Sequence, residues 1–278
     1  MPHRVLFLIL VVPAVMTAIA AVVLTEGENG SVFKRAFMVF WYKWVRQLNV
    51  MWPSIRVDGK KIVVFPEVYK PLENEHAVVD YMRDGDKVLD LGCGTGVCTV
   101  FAAPKAKEVL AVDISPAAVR NTEENARLHG LDNVTVRHSD MFSGVEGRFD
   151  IVLANPPYIA LDFKDEQEQF ATSVRYLPTL FAQVGEHLTP DGRVLVQFPI
   201  WFRKKLKKLG AQHGFELVSV ERTPGKSPAL FLLSLAYMQV GFRSAFYLFR
   251  RMPEAGQAHE PAQATPVRKA RKEELVAA

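Results

Sequence analysis

The chain opens with an apolar run that no polar stripe interrupts. Val5–Leu24 carries no charge, and Thr17 is its only polar side chain. At 1.5 Å per helical residue such a segment reaches about 30 Å, the thickness of a bilayer's hydrocarbon core. Pro13 is better tolerated in a membrane helix than in a soluble one. A cleaved signal peptide could use Ala18-Ile19-Ala20, but its apolar core would be shorter. A buried soluble helix would show a polar stripe. The expectation is therefore a membrane anchor within residues 1–30, touching the bilayer through residues 5–24. His3 and Arg4 precede it, whereas Lys34, Arg35, Lys43 and Arg46 follow it. The positive-inside rule then makes this a single-pass membrane protein with its bulk facing the cytoplasm.

Residues 31–53 change period. Phe33, Phe37, Phe40, Trp41 and Trp44 recur every three or four positions, with Lys34, Lys43 and Arg46 between them. That is an amphipathic helix, suited either to a headgroup interface or to packing on the domain that follows. From about residue 54 to 240, short apolar runs alternate with helical patterns. Lys87–Leu91, Glu108–Asp113, Val134–Val136, Phe149–Ala154 and Arg193–Phe198 read as strands. Between them Val97–Ala103 reads as helix. So does a stretch that Ser115 caps, Pro116 opens and Gly130 stops. Leu177, Leu180, Phe181, Val184 and Leu188 share one face of a further helix. This alternation predicts an α/β domain with a doubly wound, mostly parallel sheet. Phe215–Arg222 and Ala229–Gln239 look like two final strands, pairing antiparallel at one edge. Residues 241–252 read as a short basic helical extension. The tail, 253–278, has no apolar period and reads as disordered.

Composition excludes little more. Apolar residues make up 49% and charged residues 23%, which rules out a wholly disordered chain. A formal net charge of +4 does not argue for nucleic acid. Both cysteines, Cys93 and Cys98, fall in one Gly-rich turn, so no disulfide framework exists and a reducing compartment fits. No His, Cys or acid spacing suggests a metal.

The candidate chemistry sits at two strand ends. Asp90-Leu91-Gly92-Cys93-Gly94-Thr95-Gly96 is a strand-to-helix turn whose glycines let backbone amides approach a ligand. Asp113 ends the next strand, about 20 residues on, where a carboxylate can accept from both hydroxyls of a ribose. The G-x-G-x-G spacing, and an acid at Asp90 suited to an ammonium, favour S-adenosylmethionine over a nicotinamide cofactor. The second signal is Ile151–Tyr158, a buried strand running into Asn155-Pro156-Pro157-Tyr158. Each proline fixes φ and holds the residue before it extended. The Asn155 side-chain oxygen and the Pro156 carbonyl could accept the two N–H groups of a planar amide or amine, stabilising the positive charge that grows as nitrogen attacks a methyl carbon. Tyr158 could stack on the planar group.

These residues carry a family resemblance. From about Val68 to Pro199 the chain resembles class I S-adenosylmethionine-dependent methyltransferases, and within them the group with an NPPY motif, which includes release-factor glutamine and adenine-amino methyltransferases. The resemblance implies a seven-stranded sheet with an antiparallel edge. VLDLGCGTG is similar to the family's first motif, implying cofactor contacts at Asp90, Gly92, Cys93, Gly94 and Gly96. AVDIS implies Asp113 and Ile114, HSDMF implies Asp140 and Met141 around the adenine, and Val68–Glu75 resembles the segment that closes over the cofactor. Asn155, Pro156, Pro157 and Tyr158 are implied as the catalytic set, with Asn155 bordering the cofactor too. Release-factor enzymes carry an N-terminal helical domain where this chain has its apolar segment and aromatic helix.

The acceptor stays open. The Asp162, Asp165, Glu166 and Glu168 cluster is either a solvated loop or a contact for a cationic substrate. The basic run Arg203–Lys208 reads as a solvated helix face. Three functions remain: N-methylation of a membrane-associated protein or small molecule, methylation at oxygen or carbon of a lipid-like metabolite, and an inactive cofactor-binding scaffold.

Overall fold

The computed structural model describes residues 32–156, 173–223, 225–238 and 244–253. A helix, α1 (Val32–Met51), leads into a hairpin of β1 (Ser54–Val57) and β2 (Lys60–Val63). Asp58 and Gly59 between them have φ of 43° and 80°, the paired positive values of the two-residue turn that matches strand twist. The main sheet comprises β3 (Lys87–Leu91), β4 (Glu108–Asp113), β5 (Val134–His138), β6 (Phe149–Ala154), β7 (Leu188–Pro199), β8 (Phe215–Arg222) and β9 (Ser244–Arg251). Its order is β5-β4-β3-β6-β7-β9-β8, with only β9 antiparallel to its neighbours. The expected fold class therefore holds for the domain.

Each face of this sheet buries its own core, as a parallel sheet requires. On one side Leu89, Leu91, Val152, Ala154, Val194 and Val196 pack with α4 (Ser173–Gln183) and α5 (Arg203–Gln212). On the other, Val88, Val109, Ile151, Leu153 and Leu195 meet α2 (Val97–Ala102) and the 3-10 helix Glu75–Tyr81. The predicted start of α3 (Pro116–Leu128) is observed, with Ser115 Oγ accepting from Ala118 N.

Three elements differ from expectation. The helix expected to carry Leu188 on its apolar face ends at Gln183, and Leu188 opens β7. Where a strand is expected over 229–239, Pro228–Ala236 forms helix α6, capped by Ser227, whose hydroxyl accepts from Leu230 N at 3.2 Å. A short, continuously apolar run carries no period that separates helix from strand, and here Ser-Pro supplies the start signal. The expected helical extension at 241–252 is instead β9, seated between β7 and β8. Its Ala245, Phe246, Tyr247 and Phe249 are buried on both faces, so the aromatics of this run fill a sheet interior.

The membrane expectation is overturned. Val5–Leu24 lies outside the described residues, and among those described no helix is long and apolar enough to cross a membrane. The single-pass, cytoplasm-facing placement is withdrawn with it. The face of α1 that bears Phe37, Met38, Trp41, Val45 and Leu48 packs on the domain, buried with Leu72, Tyr237 and Met238. Trp41 and Trp44 donate their indole N–H groups to the carbonyls of Tyr237 and Ala236, at 3.0 and 2.8 Å. Of the tail expected as disordered, 253–278, residues 254–278 also lie outside the described residues.

Asn49 fixes this docking. Fully buried, it donates through Nδ2 to Val68 O at 2.8 Å and accepts from Tyr237 Oη at 2.9 Å. Asn49→Ala leaves both partners unsatisfied, at about 1–3 kcal/mol for each buried group. Urea unfolding should show that loss, and an unchanged midpoint would mean α1 is held by its apolar contacts and the two indole hydrogen bonds without Asn49.

Candidate active site

Strand register builds the site. Leu91 of β3 pairs with Val112 of β4 on one side and with Ala154 of β6 on the other. The next residue on each strand is Gly92, Asp113 and Asn155, so the three stand at one level along the carboxyl edge. The strand order reverses between β3 and β6, and ligands of open parallel sheets bind in the crevice at such a switch point.

The turn over this edge is held open from behind. Gly92 N and Cys93 N both donate to Val112 O, at 2.8 and 3.0 Å, folding the chain back onto β4. Gly92, Gly94 and Gly96 have φ of 77°, 58° and 73°, values that strain any residue with a side chain. At Gly96 a Cβ would also lie 2.8 Å from Thr122 Cγ2. Thr122 Oγ1 donates to Gly94 O at 3.1 Å, and Asn125 Nδ2 to Thr95 O at 2.8 Å. Asn125 Oδ1 accepts from Val63 N, while Asn121 Oδ1 accepts from Phe65 N. All three polar side chains of α3 are fully buried; Thr122 and Asn125 brace the turn, and Asn121 ties α3 to Val63 and Phe65. Sequence reasoning missed them, although three polar residues on the inner face of a helix were visible.

Asp113 is already engaged. Its Oδ2 accepts from Gly94 N and its Oδ1 from Ser115 N, each at 2.9 Å. Each oxygen keeps a lone pair for a further donor, as a ribose would supply. Burial pushes this carboxyl up, and those two amide bonds oppose the shift. Asp90 lies beneath the turn and accepts from Thr99 Oγ1 at 2.6 Å. Burial pushes it up to about 6. Cys93 and Cys98 are buried thiols held well above their ordinary range by burial, so Cys93 can offer a ligand its backbone but no thiolate.

His138, at the end of β5, pairs with Asp113, which sets the next loop beside the same edge. There Ser139 Oγ donates to Met141 O and accepts from Gly144 N, both at 2.8 Å. Met141 is held at φ 50°. Asp140 and Ile114 are exposed beside it. Asn155 is half-buried and Pro156 buried directly after β6. Pro157 and Tyr158 lie outside the described residues. The Val68–Glu75 segment is tied to the carboxyl edge through Glu73: its carbonyl accepts from Gln197 Nε2 at 2.9 Å, and its carboxylate meets Ser244 and Lys226.

Residues 76–206 match the family described as methyltransferase small domain. Over those residues the chain is similar to class I methyltransferases. The domain is 40% identical over 108 residues to a protein of Methanocaldococcus jannaschii named for N5-glutamine methyltransferases, covering 38% of this chain and 54% of that protein. It is 27% identical over 181 residues to the release factor glutamine methyltransferase of Borreliella burgdorferi, with 58% and 62% covered. Over 76 residues it is 49% identical to the ribosomal protein L11 methyltransferase of Thermotoga petrophila, covering 27% of this chain and 28% of that one. The chain thus spans about half the length of the first of these relatives and less than two thirds of the others. Among solved structures, a methyltransferase from Pyrococcus furiosus shares the fold at TM-score 0.55 and 19% identity, with 75% and 98% of the two chains covered. A protein solved in complex with SAH does so at TM-score 0.53 and 17% identity, with 71% and 55% covered. S-adenosylmethionine is the cofactor of this family.

The domain buries Asp90 at a cost in stability. Its folded pKa, about 6, lies above the ordinary value of about 3.9. The folded state therefore holds the proton more tightly, and stability falls as pH rises from about 4 to 6, by about 3 kcal/mol at most. Asp90→Asn should flatten that part of the stability profile in urea titrations at stepped pH. An identical slope in both proteins would assign it to other buried carboxyls.

Proposed function

We propose that this chain transfers the methyl group of S-adenosylmethionine to the side-chain amide nitrogen of a glutamine in a protein. The observation that carries the reading is the level at which Gly92, Asp113 and Asn155 stand on three adjacent strands. With strands about 4.8 Å apart, a ligand lying across them meets each tip in turn. Met141 and Ile114 would hold the adenine, with Asp140 for its amino group, and Asp113 would accept from the ribose hydroxyls. The Gly92–Gly96 turn would hold the methionyl arm, with the Asp90 carboxylate for its ammonium. The cofactor would supply an electrophilic methyl group, and Asn155 on β6 would hold the acceptor.

An amide nitrogen is a poor nucleophile because its lone pair is delocalised. The Asn155 side-chain oxygen and the Pro156 carbonyl accept its two N–H groups and favour the positive charge that appears as nitrogen bonds to the methyl carbon. The C–S bond breaks, sulfur leaves as a neutral thioether, and the excess proton departs from nitrogen to water. Pro157 and Tyr158, which complete the motif in the sequence, belong to the same proposed set. The relatives named as glutamine methyltransferases support the acceptor, and the NPPY tip supports nitrogen.

Incubating the full chain with methyl-labelled cofactor and a cell extract, followed by peptide mass spectrometry, should place label on glutamine side chains. Asn155→Ala should lower turnover on the labelled protein by roughly 100-fold or more while SAH affinity, set by Asp90, Asp113 and the turn, changes little. Label on hydroxyl or carbon, or full turnover by a folded Asn155→Ala protein, would sink the nitrogen mechanism.

A further inference from the structure

Tyr176, near the start of α4, reaches the cofactor turn from the sheet face opposite to Asp90. A Cβ placed on Gly92 would lie 3.4 Å from its Cε2 and 3.5 Å from its hydroxyl oxygen. The phenol therefore touches the glycine at the centre of the strand tips. Its hydroxyl donates to the carbonyl of Leu91, the last residue of β3. The ring is thus fixed twice, by contact with Gly92 and by a hydrogen bond one residue earlier. Leu177, Leu180 and Phe181 bury the rest of this helix face in the core, so the ring sits on a rigid support.

We propose that Tyr176 is a binding residue for the amino-acid arm of the cofactor, forming a fixed aromatic wall beside the sulfonium. The inference rests on the cofactor reading above. Strand order decides which part of the ligand it meets. Asp113 on β4 and the Asp140–Met141 loop after β5 lie on one side of β3, and Asn155 on β6 lies on the other. A ligand with its nucleoside over β4 and β5 and its methyl group directed at β6 must lay its amino-acid arm over β3. Gly92 is that tip, and Tyr176 stands against it. An aromatic face favours neighbouring cations, and this arm carries two, the sulfonium and the ammonium. Because the hydroxyl is engaged by Leu91 O, the ring needs no reordering when the ligand arrives.

The test separates the two ends of the ligand. Calorimetric titration of the full chain with SAH and with adenosine compares a ligand that has the arm with one that lacks it. Tyr176→Ala should weaken SAH binding by about tenfold, the scale of one lost aromatic contact and its buried area, and leave adenosine binding unchanged. Tyr176→Leu keeps apolar bulk under the turn and carries the same expectation should the alanine variant fail to fold. Tyr176→Phe keeps the ring without its tether and should fall between wild type and Leu. Equal weakening toward both ligands would mean that the substitution only disturbs the Gly turn, which overturns the inference. Unchanged or tighter SAH binding would overturn it as well, the latter by showing that the ring obstructs the arm. A wild-type chain that binds neither ligand would overturn the cofactor reading itself, and this inference with it.

Discussion

The pairing of β3 between β4 and β6 is the constraint on which the site depends. Parallel strands fix their neighbours residue by residue, because a slip of one position would turn each apolar side chain to the wrong face. Leu89 and Leu91 bury on one face while Val88 and Asp90 lie on the other, so β3 has one workable register. Once that register is set, Gly92, Asp113 and Asn155 stand level without any direct bond among them being required. The ligand crevice is a by-product of sheet packing.

What the sheet does not supply is the shape of the backbone above it. That comes from buried polar groups. Asp113 holds Gly94 N and Ser115 N, so the acid assigned to the ribose also ties the turn to the start of α3. Thr122 and Asn125 hold the turn's carbonyls from below. Such groups cost free energy to bury unless each finds a partner, and the short distances show that they do. Asp90 is an acid whose partner, Thr99, is neutral, and burial dominates its titration. A cationic ligand group beside it would remove that penalty, which is a physical reason for an acid to sit under this turn.

The parts of the fold legible in the sequence are those set by local chemistry. Glycine spacing, the Ser115-Pro116 cap and the strand–helix alternation each act over a few residues, and all appear where expected. Residues 228–251 misled because their apolar runs lack period, and only the neighbours β7 and β8 decide that Ser244–Arg251 is a strand. The aromatic stripe of α1 has a clear period, yet periodicity names a buried face without naming what covers it. Here Tyr237, nearly 200 positions away, covers Trp41. Tyr176 was invisible for the same reason: its partner, Leu91, is 85 positions distant. The apolar run Val5–Leu24 was the strongest single pattern in the chain, but length and hydropathy describe one segment, and no described helix repeats them.

The central claim is that the cofactor lies across β5, β4 and β3 with its sulfur facing the tip of β6. A crystal structure of the full chain with SAH tests it most directly. The account predicts ribose hydroxyls on Asp113, adenine beside Met141, and sulfur above Gly92 within about one strand spacing (~4.8 Å) of the Asn155 side chain. A complex with sulfur turned away from Asn155, or with the nucleoside over β6 rather than β4, would contradict it.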